Sequence, residues 1–360
     1  MRKTEFYELH KEFGAKIIPF GGFEMPVQYK GIIEEHRAVR NSVGVFDVSH
    51  MGEFIIRGEN AEKFLNTITI NDVSKLTPNK IQYSALCYKT GGIVDDLLVY
   101  KIEENHFMLV VNASNIEKDF SWIESNLIEK VKLTNESDTI SLLAIQGPNS
   151  LKTLQKLTEI DLSSMAYYTF ATGKLTDVEM LISRTGYTGE IGFELYFDIS
   201  KSEKIWRAVF DAGAEFNIQP IGLGARDTLR LEMGFCLYGN DIDQTTSPLE
   251  AGLGWITKLN KMDFIGKEFL DKQNEIGVER KLVGLKLNEK SVARHGYEIF
   301  SGEEKIGIIT SGTFSPTLEN GIALGYVATS KSQIDTNLEI DIRGKKVSAT
   351  IVSLPFYKKG

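Results

Sequence analysis

The last quarter of the chain carries the sequence feature that most restricts its fold: short strands that alternate apolar and polar residues between glycine-containing turns. A period of two is typical of strands with one face on a core. The charged stretch Asp271–Lys281 before them is interpreted as a linker. Short strands at regular spacing favour a separate β-barrel or sandwich over residues 279–357. The predicted strands are Leu282–Leu287, Tyr297–Phe300, Ile306–Thr310, Ala323–Ala328, Leu338–Ile342 and Val347–Val352.

Residues 1–270 instead mix strands with helical patterns. The clearest unit is a hairpin in which Ile81–Tyr88 leads through a glycine turn to Ile93–Ile102. A helix then begins at Ser114 or Asn115, because the following apolar residues recur at a helical spacing. The length of 360 residues predicts two or three domains. The fold class expected for the whole chain is therefore α+β.

Composition excludes several classes of function. The 49 acidic residues outnumber the 41 basic ones, which disfavours binding to a phosphate backbone and hence to nucleic acid. No apolar run approaches the roughly 18 residues of a membrane span, and the N-terminus lacks the apolar core of a signal peptide, so we expect a cytoplasmic protein. The five histidines have no metal-ligand spacing and are interpreted as isolated surface residues, so no metal is expected. Cys87 and Cys236 lie in apolar contexts and are interpreted as reduced core thiols.

Two adjacent aspartates on the return strand of the hairpin are the first candidates for chemistry. Residues two apart in a strand share a face, so Asp96 points to the same side as Tyr100, and Asp95 points to the other side. A carboxylate in a strand covered on both faces needs a partner for its charge. Two interpretations stay open: turn aspartates that bind backbone amides, or an Asp96 that faces a ligand cavity.

Glu194 and Arg226 are the next candidates. Glu194 lies on the strand face opposite an apolar stripe, where it is either solvated or directed at a ligand. Arg226 belongs to the glycine-rich segment Gly222–Asp227 and is either a salt-bridged structural arginine or a ligand-binding one. That segment matches half of a dinucleotide fingerprint, but Asp227 replaces the third glycine, so we interpret it as a helix start.

Together these segments resemble the T-protein family, the aminomethyltransferases of the glycine cleavage system. The resemblance runs through essentially the whole chain, and its segments occur in the family's order. The matching segments are Gly22–Val27, Ser42–Gly52, Gly91–Asp96, Asn112–Asn115, Arg184–Glu190, Gly222–Asp227 and Thr310–Leu318.

The resemblance implies a three-domain cloverleaf around a central hole that binds tetrahydrofolate. The first two domains are interleaved in the sequence, at about residues 1–52 with 138–270 and 53–137. The third is the C-terminal β-barrel, at residues 279–357.

The resemblance also implies the reaction and the partner. The lipoyl arm of the glycine cleavage H-protein delivers an aminomethyl group on sulfur, and N5 of tetrahydrofolate takes its methylene. Ammonia and the dihydrolipoyl thiol are released, and ring closure at N10 gives 5,10-methylenetetrahydrofolate. Tetrahydrofolate is thus a co-substrate, no metal takes part, and we expect a monomer.

Site residues follow from the same resemblance. Asp96 resembles the catalytic aspartate near N10. Glu194 resembles the carboxylate that binds the pterin, whose ring N–H and amino group present two donors to a carboxylate fork. Arg226 resembles the ligand-site arginine that holds the pterin or Glu194. The expected pocket residues are Tyr83, Tyr100, Tyr187, Met51 and Asn112.

Two other functions stay open within the same resemblance. A non-catalytic folate-binding relative that assists iron–sulfur protein maturation would carry a Lys-Gly-Cys-Tyr-x-Gly-Gln-Glu motif. The comparable turn here, Arg184–Glu190, has no cysteine. A folate-dependent demethylase is the other alternative.

Overall fold

The computed structural model describes residues 1–359, which form eight α-helices and nineteen β-strands. The helices are α1 (Tyr7–Glu12), α2 (Ile32–Asn41), α3 (Ala61–Ile68), α4 (Ile116–Ser125), α5 (Ser150–Gln155), α6 (Ser202–Gly213), α7 (Leu223–Glu232) and α8 (Lys267–Ile276). The strands are β1 (Lys16–Phe20), β2 (Phe23–Gln28), β3 (Gly44–Asp47), β4 (Gly52–Arg57), β5 (Lys80–Cys87), β6 (Ile93–Glu103), β7 (His106–Val111), β8 (Lys132–Asn135), β9 (Ile140–Gln146), β10 (Phe170–Leu175), β11 (Val178–Ser183), β12 (Gly192–Asp198), β13 (Gln219–Pro220), β14 (Arg280–Leu287), β15 (Glu298–Ser301), β16 (Glu304–Ser315), β17 (Asn320–Ala328), β18 (Asn337–Ile342) and β19 (Lys345–Val352).

The chain divides into two compact units, each built from several segments. The first unit contains Met1–Asn66, Val73–Tyr83 and Leu97–Arg226. The second contains Thr67–Asp72, Ser84–Asp96 and the chain from Asp227 onward. Among residues 1–359, no helix combines the length and the apolar composition that crossing a bilayer requires.

A six-stranded sheet in the order β10-β11-β12-β9-β3-β13 organises the first unit. Its neighbouring strands are antiparallel, apart from the short parallel pair of β13 with β3. Phe193 and Leu195 of β12 have no exposed surface and belong to a core that also contains Trp206 of α6. Because side chains alternate along a strand, Glu194 between them points to the opposite face.

Glu194 sits in the middle of this sheet. It is paired with Ser183 on β11 and with Ala144 on β9. A strand in a central position has both edges hydrogen-bonded, so its backbone is fixed from both sides. The sheet therefore holds the Glu194 side chain at a defined place on one face.

A second sheet has the order β5-β6-β7-β4-β8. The first residue of β4, Gly52, pairs with Val111, the last residue of β7. Met51 directly precedes β4 and Asn112 directly follows β7, so two of the predicted pocket residues adjoin the same end of this strand pair.

The last six strands form a closed barrel in the order β14-β17-β16-β15-β18-β19. Closure removes the unpaired sheet edges that an open arrangement would expose. Its interior is filled by fully buried aliphatic residues such as Leu285, Ile309 and Ile340. All six strands predicted from the alternating pattern are present, so the α+β class and the C-terminal barrel are confirmed.

The predicted linker at Asp271–Lys281 was wrong over its first half. Residues up to Ile276 belong to α8, which begins after Gly266 and ends at Gly277, a glycine with φ of +85°. Leu270 is the one fully buried residue of this largely charged helix, so the sequence shows no helical repeat of apolar residues there. A glycine at positive φ is a common helix terminator because it carries no Cβ.

The glycine turn of the predicted hairpin is packed closely within the second unit. The Ile93 N–H donates hydrogen bonds to the Asp243 and Thr246 carbonyl oxygens, at 3.0 and 3.1 Å. A Cβ on Gly92 would lie 1.9 Å from the Gln244 carbonyl oxygen. Since that neighbour is backbone, no side-chain rotation can make room, and only glycine fits.

We therefore expect Gly92→Ala to destabilise the protein by about 1–3 kcal/mol, the range of overpacking in a filled interior. The matched control is Gly254→Ala, where the new Cβ would meet only the Leu249 side chain at 3.7 Å. That change should stay within about 0.5 kcal/mol of the original. Urea unfolding of both variants measures the difference, and equal midpoints would contradict the close-packing argument.

Candidate functional site

Glu194 is the carboxylate around which a polar cluster forms on one face of the first unit's sheet. The residue is half-buried on β12, and Oε2 accepts a hydrogen bond from the Thr185 hydroxyl. Burial raises the pKa of the Glu194 carboxyl. The Thr185 hydrogen bond, the charge of Arg226 and a hydrogen bond from Tyr196 oppose that rise. The interpretation of Glu194 as a fully solvated glutamate is therefore wrong.

A row of hydroxyl groups leads away from this carboxylate. The Thr185 and Ser183 hydroxyl oxygens are 2.6 Å apart, and Ser183 Oγ is 3.1 Å from the Tyr100 hydroxyl. The Tyr100 hydroxyl is in turn 2.9 Å from that of Tyr196. All four hydroxyl-bearing residues are buried, and Tyr100 has no exposed surface. Tyr100 thus belongs to the inner part of the cluster.

Arg226 and Tyr187 complete the outer part of the cluster. The guanidinium carbon of Arg226, on the first turns of α7, lies 4.6 Å from the centre of the Tyr187 ring. This is a cation–π distance. Both residues are half-buried. Because the charge of Arg226 also lowers the pKa of Glu194, three of the predicted residues meet here.

His50 lies near the same arginine but is closed off from solvent. It is 1% exposed, and its Nδ1 has no hydrogen-bond partner within residues 1–359. Burial lowers its pKa to about 4, and the charge of Arg226 contributes in the same direction. His50 is therefore neutral at pH 7 and leaves Arg226 as the cation of the cluster.

The expectation that the histidines are isolated surface residues was wrong for three of the five. His10, His36 and His50 are buried. His10 Nε2 is 2.9 Å from Asp47 Oδ2, and its Nδ1 is 2.9 Å from the Tyr29 hydroxyl. These partners come from distant parts of the chain, so spacing in the sequence gave no sign of them. No group of three or more potential metal ligands occurs in the described part of the chain.

The other predicted pocket residues of the first unit are half-buried. Met51 and Asn112 adjoin the same end of the β4–β7 pair, and Tyr83 lies on β5, which neighbours β6 in the sheet. Two surface grooves of about 530 and 630 Å³ are lined by other segments: the first by residues from 177–179 and 198–204, the second by residues from 155–160 and 173–179. Neither groove contains a predicted site residue, so we do not place the function there.

Asp96 belongs to the second unit. It is half-buried on β6, whereas its neighbour Asp95 has no exposed surface, as opposite strand faces require. Burial raises the pKa of the Cys236 thiol, and the charges of Asp241 and Asp96 add to this. Asp96 therefore lies within electrostatic range of Cys236. Cys87 and Cys236 are both buried and form no disulfide, as expected.

Arg230 is the fully buried, salt-bridged arginine of α7. Arg230 is 1% exposed and donates to Asp241 Oδ2 at 2.7 Å and to Ser311 Oγ at 2.9 Å. A buried arginine of this kind needs such partners to offset desolvation. Sequence alone could not separate the two arginines, which lie one helical turn apart.

Thr185, Ser183 and Tyr196 were missed from the sequence. One signal was present: residues 183 and 185 have the same parity, and residues 194 and 196 share a strand face. The register that pairs Ser183 with Glu194 brings the two sets together. That register is a property of the folded sheet.

Two family models cover most of the chain. A model described as the GCVT N-terminal domain matches residues 6–261. A model described as the glycine cleavage T-protein C-terminal barrel domain matches residues 280–358, which contain the closed barrel.

Full-length relatives agree with these models. A protein named aminomethyltransferase from Flavobacterium psychrophilum is 56% identical over 361 residues and covers 100% of both chains. A protein of the same name from Halothermothrix orenii is 51% identical, over 99% of this chain and 100% of its own. The crystal structure of glycine cleavage system aminomethyltransferase T from Bartonella henselae has a TM-score of 0.93 at 33% identity, covering 99% of this chain and 98% of that one. The chain belongs to the glycine cleavage T-protein family.

Proposed function

We propose that this protein is the aminomethyltransferase of a glycine cleavage system. It transfers the methylene of an aminomethyl group on the lipoyl arm of H-protein to tetrahydrofolate, and releases ammonia and dihydrolipoyl H-protein. The family models and the full-length similarity to proteins named aminomethyltransferase support this activity. H-protein is accordingly the partner we propose. The cytoplasmic location and the monomeric state expected from the sequence stay predictions.

The grouping of Glu194, Arg226 and Tyr187 is the single observation that carries the folate part of the proposal. A pterin presents a ring N–H and an amino group side by side, which match the two oxygens of a carboxylate. One Glu194 oxygen already accepts from Thr185, and a carboxylate oxygen can accept a second hydrogen bond. Arg226 stacked on Tyr187 adds a flat, cationic surface next to this fork. Residues of this kind fit a pterin ring.

Asp96 is the proposed catalytic aspartate. Its half-buried position allows contact with a substrate, whereas the fully buried Asp95 can only act within the protein. A carboxylate beside N10 would take or hold the proton that moves during ring closure. It would also stabilise the positive charge that develops on the methylene.

Formation of 5,10-methylenetetrahydrofolate from aminomethyl-loaded H-protein tests the activity directly. Turnover with purified protein, tetrahydrofolate and loaded H-protein is the expected result. Folate binding without turnover would instead indicate the non-catalytic folate-binding relative, and turnover with a methoxyl or N-methyl donor would indicate a demethylase.

Glu194→Ala should weaken tetrahydrofolate binding by about 1–3 kcal/mol, or roughly 5- to 150-fold, because the pterin donors lose their acceptor. The matched control is Glu179→Ala, an exposed glutamate on β11 of the same sheet. Anaerobic calorimetric titration measures both variants. An unchanged affinity of Glu194→Ala would remove this residue from the pterin site.

Asp96→Asn should lower turnover by about 10²- to 10⁴-fold, because it keeps the shape of the side chain but removes the acid–base group. Folate affinity should change far less. The neighbouring control, Asp95→Asn, should mainly lower stability, by about 1–3 kcal/mol, since this carboxyl is fully buried.

Turnover at saturating folate and H-protein, together with the melting temperature, separates these two roles. If Asp95→Asn abolishes turnover while Asp96→Asn does not, the assignment of the two aspartates must be exchanged.

A further inference from the structure

The charge of Glu194 determines which of the neighbouring hydroxyl groups donates each hydrogen bond. An ionised carboxylate only accepts hydrogen bonds, so the single Thr185 hydroxyl hydrogen points to Glu194. The 2.6 Å contact between Thr185 and Ser183 then requires Ser183 to donate. The Tyr100 hydroxyl lies beyond this pair, 3.1 Å from Ser183 Oγ and 2.9 Å from the Tyr196 hydroxyl. Each hydroxyl has one hydrogen, so those of Ser183 and Thr185 are both directed toward the same carboxylate.

Water cannot compete for the hydrogen bonds of this row of hydroxyl groups, because the residues that carry them are buried. Ser183 and Tyr100 are 0% exposed, and Thr185 is 3% exposed. In a low-dielectric interior, hydrogen bonds in series polarise one another, so the last bond of the row is stronger than an isolated one. The row comes from three elements: β6, β11 and the loop after β11. It therefore exists only when the sheets that contain β6 and β11 are both folded.

We propose that Thr185 and Ser183 are positioning residues for the pterin: their hydroxyls orient Glu194 and keep it able to accept the pterin's two hydrogen bonds. This inference rests on the proposed role of Glu194. Neither residue needs to touch the substrate. The row sets both the direction and the charge of the carboxylate that does.

A pH dependence of folate binding follows. The titratable and charged groups around Glu194 are Arg226, Tyr100, Tyr167, Tyr168 and Tyr196. Burial raises the pKa of Tyr100, Tyr168 and Tyr196, an exposed tyrosine such as Tyr167 is neutral below pH 8.5, and arginine stays protonated, so none of them changes charge between pH 5 and 8.5. Glu194 is the group of this cluster whose charge responds to falling pH. Burial raises its pKa, and protonation as the pH falls removes an acceptor and weakens binding.

Thr185→Val keeps the shape of the side chain but removes the hydroxyl. The variant therefore loses the hydrogen bond that most lowers the pKa of Glu194. We expect the pH below which tetrahydrofolate affinity falls to move upward by about one unit, the value of one hydrogen bond to a charged group. Ser183→Ala should move it in the same direction by less, and Thr185→Ser should restore it. Ionisation of the ligand itself is common to all variants and cancels in the comparison.

The matched control is Thr188→Val, in the same loop. Thr188 is 1% exposed, and its hydroxyl donates to Gln146 instead of Glu194. Anaerobic titrations with tetrahydrofolate from pH 5 to 8.5, with melting temperatures, compare all these variants. A lower melting temperature with an unshifted pH profile for both Thr185→Val and Ser183→Ala would overturn the proposal, and Ser183→Ala decides it if Thr185→Val does not fold.

Glu194→Ala in the same series distinguishes the two levels of inference. If it leaves folate affinity unchanged, the pterin role of Glu194 fails, and the positioning role fails with it. If it weakens binding and abolishes the pH-dependent decline while Thr185→Val behaves like the original protein, only the positioning role is overturned.

Discussion

The partial burial of the Glu194 carboxylate is the constraint on which the rest of the candidate site depends. A carboxylate removed from water loses hydration free energy unless hydrogen bonds and a nearby cation replace it. Thr185 supplies the hydrogen bond and Arg226 supplies the cation. Because both compensating groups come from other elements, only the folded first unit brings them together to offset the cost of burying Glu194.

The sheet holds the Glu194 side chain in a defined position. Glu194 lies on a strand with hydrogen-bonded neighbours on both sides, and the fully buried Phe193 and Leu195 fix its rotation. Ser183 stands opposite it in the register. A functional side chain on such a rigid element is held more precisely than one on a mobile segment, which suits recognition of a planar ligand with fixed donor positions.

In the second unit, the position of Asp96 depends on the glycine turn that precedes its strand. Asp96 follows a glycine turn whose backbone is packed so closely against Gln244 that a single Cβ cannot enter. Tyr238 donates to the Ile93 carbonyl oxygen at 3.2 Å, so the strand is fixed just before its aspartates. Glycine here gives close approach of two backbones, and that approach defines where β6 begins. The closed barrel that follows contributes a core of its own, without sheet edges that could pair with other chains.

Local patterns in the sequence determined the barrel strands, the hairpin, the parity that separates Asp96 from Asp95, and the choice of Glu194 and Arg226 as candidates. These features depend on side-chain periodicity and on glycine turns, which act over a few residues. Only the tertiary structure decided that His10 and His50 are buried, that Arg230 is the structural arginine, and that Ser183, Thr185 and Tyr100 stand in a row behind Glu194. Those contacts join residues up to about a hundred positions apart, and their register is set by the packing of whole sheets, a long-range property that no local pattern contains.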